Sequence, residues 1–169
     1  KASFAGGTTT NLGLGSGILL TSGDASLAPG PSSGGSTGYD NTGTSDPQLA
    51  ALVTTALHDA AVLEFDFVPL SDTLRFRYVF GSDEYPEFSN SNYNDVFGFF
   101  ITGPNPNGPA YLNKNIAILP GTTNTPVSIN TIKNGTANAG PCTNCAFYID
   151  NANGLLLEYD AITTVLTAT

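Results

Sequence analysis

Four carboxylates crowd into one short stretch of this sequence. It reads Gly81-Ser82-Asp83-Glu84-Tyr85-Pro86-Glu87-Phe88-Ser89-Asn90-Ser91-Asn92-Tyr93-Asn94-Asp95, with acids at Asp83, Glu84, Glu87 and Asp95 and no basic residue. Carboxylates held close together repel, and a hard cation relieves that repulsion. Calcium takes roughly six to eight oxygens from carboxylates, amide or backbone carbonyls and water. The expected set here is Asp83, Glu84, Asn94 and Asp95. The spacing is not that of an EF-hand loop, whose central Gly and closing Glu are missing. A solvated acidic loop is the alternative. Magnesium fits less well, because it prefers few protein ligands plus phosphate.

Paired carboxylates also suit glycoside hydrolysis, one as acid and one as base or nucleophile. Glycosidase clefts tend to be aromatic-lined, and this chain has no Trp. The one histidine, His58, stands beside Asp59, but neither a G-x-S-x-G elbow nor another nucleophile motif accompanies it. His58 reads as a helix-end or surface residue. Gly13-Leu14-Gly15-Ser16-Gly17 lacks the Lys and the strand-before, helix-after context of a phosphate loop, so it reads as a turn. Asn134-Gly135-Thr136 fits a glycosylation sequon, a short and common pattern. No catalytic residue is expected from these motifs, and the chain is read as noncatalytic.

The two cysteines lie in Pro141-Cys142-Thr143-Asn144-Cys145. A Cys-x-x-Cys can be a redox centre, half a zinc site or a local disulfide. Redox use normally puts the first Cys at a helix N-terminus, which lowers its pKa. The flanks here, Asn138, Gly140 and Pro141, read as loop, and a zinc site needs two further ligands. A structural disulfide between Cys142 and Cys145 is the favoured reading. With the low charge and the abundance of Asn, Thr and Gly, it suggests an extracellular compartment.

The wider composition excludes several classes. The chain has 169 residues, 40% hydrophobic but only 11% charged, with five basic residues against 14 acids and a net charge of −9. Phosphate binding needs clustered Lys and Arg, so nucleic acid is not an expected partner. No run of about 18 apolar residues exists, so no transmembrane segment is expected. The aromatic and β-branched content is enough to bury a core.

The elements that must position the acidic stretch are mostly strands. Residues 17–21 read as a short strand between glycine turns, and residues 28–44 read as a long exposed connector. Asp46 is a good N-cap, Pro47 suits the first helical position, and Leu49, Leu52 and Val53 give a short apolar stripe. One short helix is therefore expected, ending near residues 54–57. Residues 62–68 alternate Leu63, Phe65 and Phe67 against Glu64 and Asp66. Residues 73–80 alternate Leu74, Phe76, Tyr78 and Phe80 against Arg75 and Arg77. A hairpin through the Pro69-Leu70-Ser71-Asp72 turn would set Asp66 opposite Arg75, Glu64 opposite Arg77, and Phe65 opposite Phe76. Such cross-strand ion pairs contribute roughly 0.2–1 kcal/mol each and mainly fix register.

Further strands are expected at 96–102, 115–119, 126–131, 146–150, 155–159 and 162–168, separated by Gly/Pro/Asn turns. Many short strands of this kind predict an all-β fold. The expected architecture is an antiparallel β-sandwich, jelly-roll-like, with one short helix and long Gly/Ser/Asn loops.

The stretch from Asp59 to Ile101 resembles the core signature of the choice-of-anchor L domains of bacterial surface proteins. The early Phe4-Ala5-Gly6-Gly7 and 12–23 blocks, and the later 115–132, 147–151 and 159–168 blocks, resemble the same family. The resemblance implies a secreted bacterial cell-surface module that mediates adhesion or interaction, with other surface proteins, glycans or copies of itself as partners. The Asp83–Phe88 and Asn94-Asp95 blocks match the family's acidic signature, where calcium support would act. Family members usually carry a strand-like segment before the first block and further strands after the last. Residues 1–169 are therefore expected to form one β-sandwich domain lacking family segments at both ends. An incomplete sandwich exposes edge strands that template pairing. The alternative reading is accordingly a self-assembling subunit of a surface filament or pilus-like fibre, completed by strand exchange.

Overall fold

The computed structural model describes residues 1–34 and 37–169. Positions 35 and 36 of the expected connector lie outside the described residues. In chain order the elements are β1 (Ala2–Ala5), β2 (Ser16–Leu19), α1 (Pro47–Ala50), β3 (Phe76–Tyr78), β4 (Gly81–Ser82), β5 (Val96–Phe97) and β6 (Phe100–Gly103). They continue with β7 (Tyr111–Asn115), β8 (Val127–Ser128), β9 (Tyr148–Asp150), β10 (Ala161–Thr163) and β11 (Leu166–Ala168). The fold is all-β, as expected, and the helix is one turn long.

These strands pair antiparallel in small sheets: β1 with β2, β11 with β3, β5 with β8, β6 with β7, and the three-stranded β4-β10-β9. Two continuous layers of the expected sandwich are not seen among the described residues. The core is formed by Phe80, Tyr85, Leu119, Val127, Ile129, Ile132, Ala161 and Leu166, with Tyr78, Phe97, Phe147 and Tyr148 packed against it. β10 is buried along its whole length because sheet neighbours flank it on both edges. Among the described residues no helix is long and apolar enough to cross a membrane.

Local chemistry explains where elements stop. The Asp46 carboxylate accepts from the N–H groups of Gln48 at 2.8 Å and Leu49 at 3.0 Å, so the helix starts where the cap predicts. It ends after Ala50, short of 54–57. The run 96–102 breaks into β5 and β6 around Gly98. There the Asn115 amide oxygen takes the Phe99 N–H at 3.0 Å in place of a ladder carbonyl. The same oxygen accepts from Ala117 N–H, so β7 lies upstream of the expected 115–119 strand. The run 162–168 breaks where the chain changes sheet. Thr163 N–H donates to Phe80, Thr164 N–H donates to Phe147, and the chain crosses from the β4-β10-β9 sheet to β3.

Two expectations about strands need correction. Residues 61–69 carry no strand, and β3 takes β11 as its ladder partner, with Arg77 opposite Thr167. Arg77 Nη2 donates to the Gly13 carbonyl at 3.4 Å, and Arg75 is exposed. The ladder that was to oppose Asp66 to Arg75 and Glu64 to Arg77 is therefore not formed. Phe65 nevertheless lies 6.4 Å from Phe76, and Phe76 stacks 4.2 Å from Phe99. Aromatic contact brings this segment in, since exposed ion pairs gain little in water. Residues 155–159 are also not a strand; Leu157 alone bridges Pro29. That bridge corrects a third expectation, because the first part of the 28–44 connector is docked on residues 154–160.

Candidate functional site

The acidic stretch leaves β4, and its two sides face different neighbours. Successive residues leaving a strand point to opposite faces. On one side the Ser82 hydroxyl donates to Asp95 Oδ2 at 2.7 Å and accepts from Glu84 N–H at 3.0 Å. Burial pushes the Asp95 carboxyl above its ordinary range, and the Ser82 hydrogen bond partly offsets this. Glu84 is raised by burial and then by the Asp95 charge. On the other side Asp83 meets Asp160 and Glu158 from the segment before β10. Burial first, then the charges of Asp160 and Glu158, push Asp83 up to about 7, although the Asp160 N–H opposes the shift. Asp83 Oδ1 is buried without a hydrogen-bond partner.

Asn94 belongs to neither group. Its amide oxygen accepts from Asn130 N–H at 2.9 Å, which holds the returning chain against residue 130. The four oxygen donors expected for calcium thus occupy three separate hydrogen-bonding environments. Among the described residues, no group of three or more His, Cys, Asp and Glu side chains is arranged to hold a metal ion.

The acidic pair that faces Asp83 was missed by sequence reasoning. Asp160 and Glu158 are 3% and 5% exposed. Ser32 Oγ donates to Asp160 Oδ1 at 2.7 Å, and Ser33 donates to Glu158 Oε1 through Oγ at 2.6 Å and N–H at 3.1 Å. Thr37 Oγ1 donates to the same oxygen. Hydrogen bonds from Ser33 and Thr37 hold Glu158 below its ordinary value, whereas burial raises Asp160. The only signal in the sequence is the alternation of Glu158 and Asp160 about Tyr159, which gives no hint of a distant serine loop.

Tyr85 anchors the acidic stretch from within. Its ring is fully buried, edge-on to Phe80 at 6.5 Å and to Tyr148 at 5.2 Å, and its hydroxyl donates to Ile132 O at 2.6 Å. Beyond it, loop 86–94 is fastened to residues 130–138. Asn90 N–H donates to Asn130 Oδ1 at 2.7 Å, and Asn90 Nδ2 donates to Thr136 Oγ1 at 3.1 Å. Thr136 Oγ1 donates to Ser89 O at 2.8 Å, and Lys133 Nζ donates to Asn90 Oδ1. Cys142 and Cys145 form the expected disulfide, next to the Lys133–Thr143 backbone bridge.

A family model, the choice-of-anchor L domain, matches residues 1–169. The chain belongs to the choice-of-anchor L domain family. Membership makes it a bacterial cell-surface module, in line with the resemblance of its acidic and strand blocks. No curated protein and no solved structure matches the chain.

His58 is exposed, and the neighbouring Asp59 carboxylate is engaged by the N–H groups of Asn41 and Gly43.

Proposed function

We propose that this choice-of-anchor L domain is a noncatalytic extracellular module that mediates adhesion or interaction at the bacterial surface. The observation that carries the reading is the family match over residues 1–169. Two features support a binding role over a reaction. Asp95, Glu158 and Asp160 are held by Ser and Thr hydroxyls, and Asp59 is occupied by backbone N–H groups instead of orienting His58. The loops around Tyr85 are cross-tied, which suits a preformed contact surface. The test is binding of the labelled chain to intact bacterial and host cell surfaces. Saturable binding without turnover of any bound glycan is expected. Turnover, or no binding to any surface, would overturn the reading.

Calcium support belongs to this proposal on electrostatic grounds alone, because a cation would relieve the repulsion that Asp160 and Glu158 exert on Asp83. A ligand that binds only the native state raises the melting temperature. Melts with millimolar calcium and with chelator are expected to differ; identical melts remove calcium from the reading.

One observation favours a second reading, the filament subunit completed by strand exchange. Residues 61–69 carry no ladder partners, and Leu63, Phe65, Phe67, Val68 and Leu70 are exposed. An unpaired apolar segment of this kind templates pairing with another chain. Size-exclusion chromatography and negative-stain imaging decide between them: regular fibres from the isolated chain favour the filament, and a monodisperse monomer rejects it.

A further inference from the structure

A cavity of about 360 Å³ opens between the 134–138 loop, the disulfide loop and β9, lined by Asn134, Asn138, Cys145, Tyr148 and Asp150. Small-ligand sites begin at roughly 300 Å³. From this cavity and its surroundings we infer that the rim of the domain binds a neutral saccharide. The inference rests on the binding-module reading above and adds to it a ligand class and a site.

The lining chemistry selects the ligand. Two amides and a carboxylate offer both donors and acceptors, and the lining holds no cation. Sugar hydroxyls also both donate and accept, so adjacent hydroxyls match this set. Phosphate, sulfate and acidic sugars are disfavoured by Asp150 and by the net charge of −9.

The site is largely preformed. Asn138 Nδ2 donates to Asp150 Oδ2 at 2.9 Å, and Asn134 Nδ2 donates to Asn138 O at 3.2 Å. Asn138 Oδ1 and the Tyr148 hydroxyl are buried with no hydrogen-bond partner. Both atoms are closed to solvent, so the groups left for a ligand are the second N–H of each amide and the Asp150 carboxylate.

An exposed aromatic pair sits on the loop that is hydrogen-bonded to the same turn. Phe88 and Tyr93 are exposed and meet edge to face at 5.2 Å. Their loop is tied by Asn90 to Thr136, in the same turn as Asn138. Exposed rings offer an apolar face to the C–H side of a sugar ring, and an oligosaccharide carries several such faces.

The probe is an array of neutral and acidic oligosaccharides, followed by calorimetric titration of the neutral ones that bind. Neutral glycans are expected to bind, with affinity about tenfold weaker or worse in Asn138→Ala and Asp150→Asn. Tyr93→Ala is expected to weaken binding, and Leu112→Ser, an exposed change on β7, to leave it unaltered. Asp150→Asn keeps the side-chain shape, and melting curves establish that each variant is folded. Binding confined to acidic glycans, no glycan binding at all, or neutral binding unchanged in both cavity variants overturns the inference. Surface adherence separates it from the broader reading. Adherence that survives in both variants removes the saccharide site and leaves the module; neutral-glycan binding without adherence leaves the site and removes the adhesion role.

Discussion

The hydroxyl of Tyr85 donates to the backbone carbonyl of Ile132 across 2.6 Å in the middle of the core. The residue sits between Glu84 and Pro86 in the most polar stretch of the chain, yet it is fully buried. Phenol and ring act together: the ring fills the space between Phe80 and Tyr148, and the hydroxyl satisfies a carbonyl that water cannot reach.

Removing only the hydroxyl tests the second part of that arrangement. Tyr85→Phe leaves the Ile132 carbonyl unpaired, at a cost of about 1–3 kcal/mol. For a chain of this size each kcal/mol lowers Tm by roughly 2–4 °C. Tyr85→Ala removes the ring as well and is expected to cost about 3–5 kcal/mol. Melting followed by circular dichroism ranks the three proteins; equal Tm for wild type and Tyr85→Phe would reject the role of the hydrogen bond.

Asp83 makes stability depend on pH in an unusual direction. Its folded pKa of about 7 lies above the ordinary value of 3.8, because of burial and then the charges of Asp160 and Glu158. The folded chain therefore holds a proton that the unfolded chain has released across this window. The contribution is fully present below pH 3.8 and is lost as pH rises through about 7. Asp83→Asn removes the ionisation. Allowing for solvent screening of a half-buried carboxyl, the variant is expected to gain about 1 kcal/mol at pH 8, roughly 2–4 °C in Tm. The difference between variant and wild type should shrink as pH falls towards 5. A difference independent of pH would reject the assignment.

What the sequence revealed was local, and what it concealed was the choice of partner. Asp46 and Pro47 announce a helix start because the cap bonds span only two and three residues. The Cys142–Cys145 disulfide is similarly local. Alternation in residues 62–68 reports two faces but cannot say which strand, if any, completes the ladder; β3 instead joins β11, about 90 residues further on. The breaks at Gly98 and Thr164 were hidden because an Asn side chain from another segment and a change of sheet cause them, and neither is written in the runs themselves. The acids of 83–95 were visible as a cluster, but their separation onto two sides depends on Ser82 and on Asp160, and only the first lies nearby.

The Glu158 clasp predicts a segment that opens on mutation. Three donors from Ser33 and Thr37 reach one oxygen, Oε1, while the Glu158 N–H donates to Ala28 O at 3.0 Å. Glu158→Ala leaves the backbone bond and removes the side-chain set. Faster amide exchange and proteolysis at residues 28–34 are expected, with little change in the exchange of β9 and β10. Because Glu158 is held below its ordinary 4.5, its contribution is present above that pH and is lost as pH falls through the folded value. Acid should therefore release the same segment in the wild type. Protection that is unchanged by both mutation and acid would show that the backbone contacts alone hold it.

Reduction of the disulfide separates stability from site geometry. The bridge joins cysteines only three positions apart, so it closes a very short loop. The chain-entropy relation gives about 2 kcal/mol for a loop of that length, or roughly 4–8 °C in Tm. Its position makes the effect local as well. Lys133 and Thr143 exchange two backbone hydrogen bonds at 2.9 Å directly beside Cys142, and Cys145 lines the cavity with Tyr148 and Asp150. Paired Cys142→Ser and Cys145→Ser substitutions should lower Tm by a similar amount and raise amide exchange at Lys133 and Thr143. Exchange at β1 and β2, far along the chain, should be unaffected if the bridge works as a local brace. A uniform rise across all strands would instead make the disulfide a support of the whole fold, acting through global unfolding.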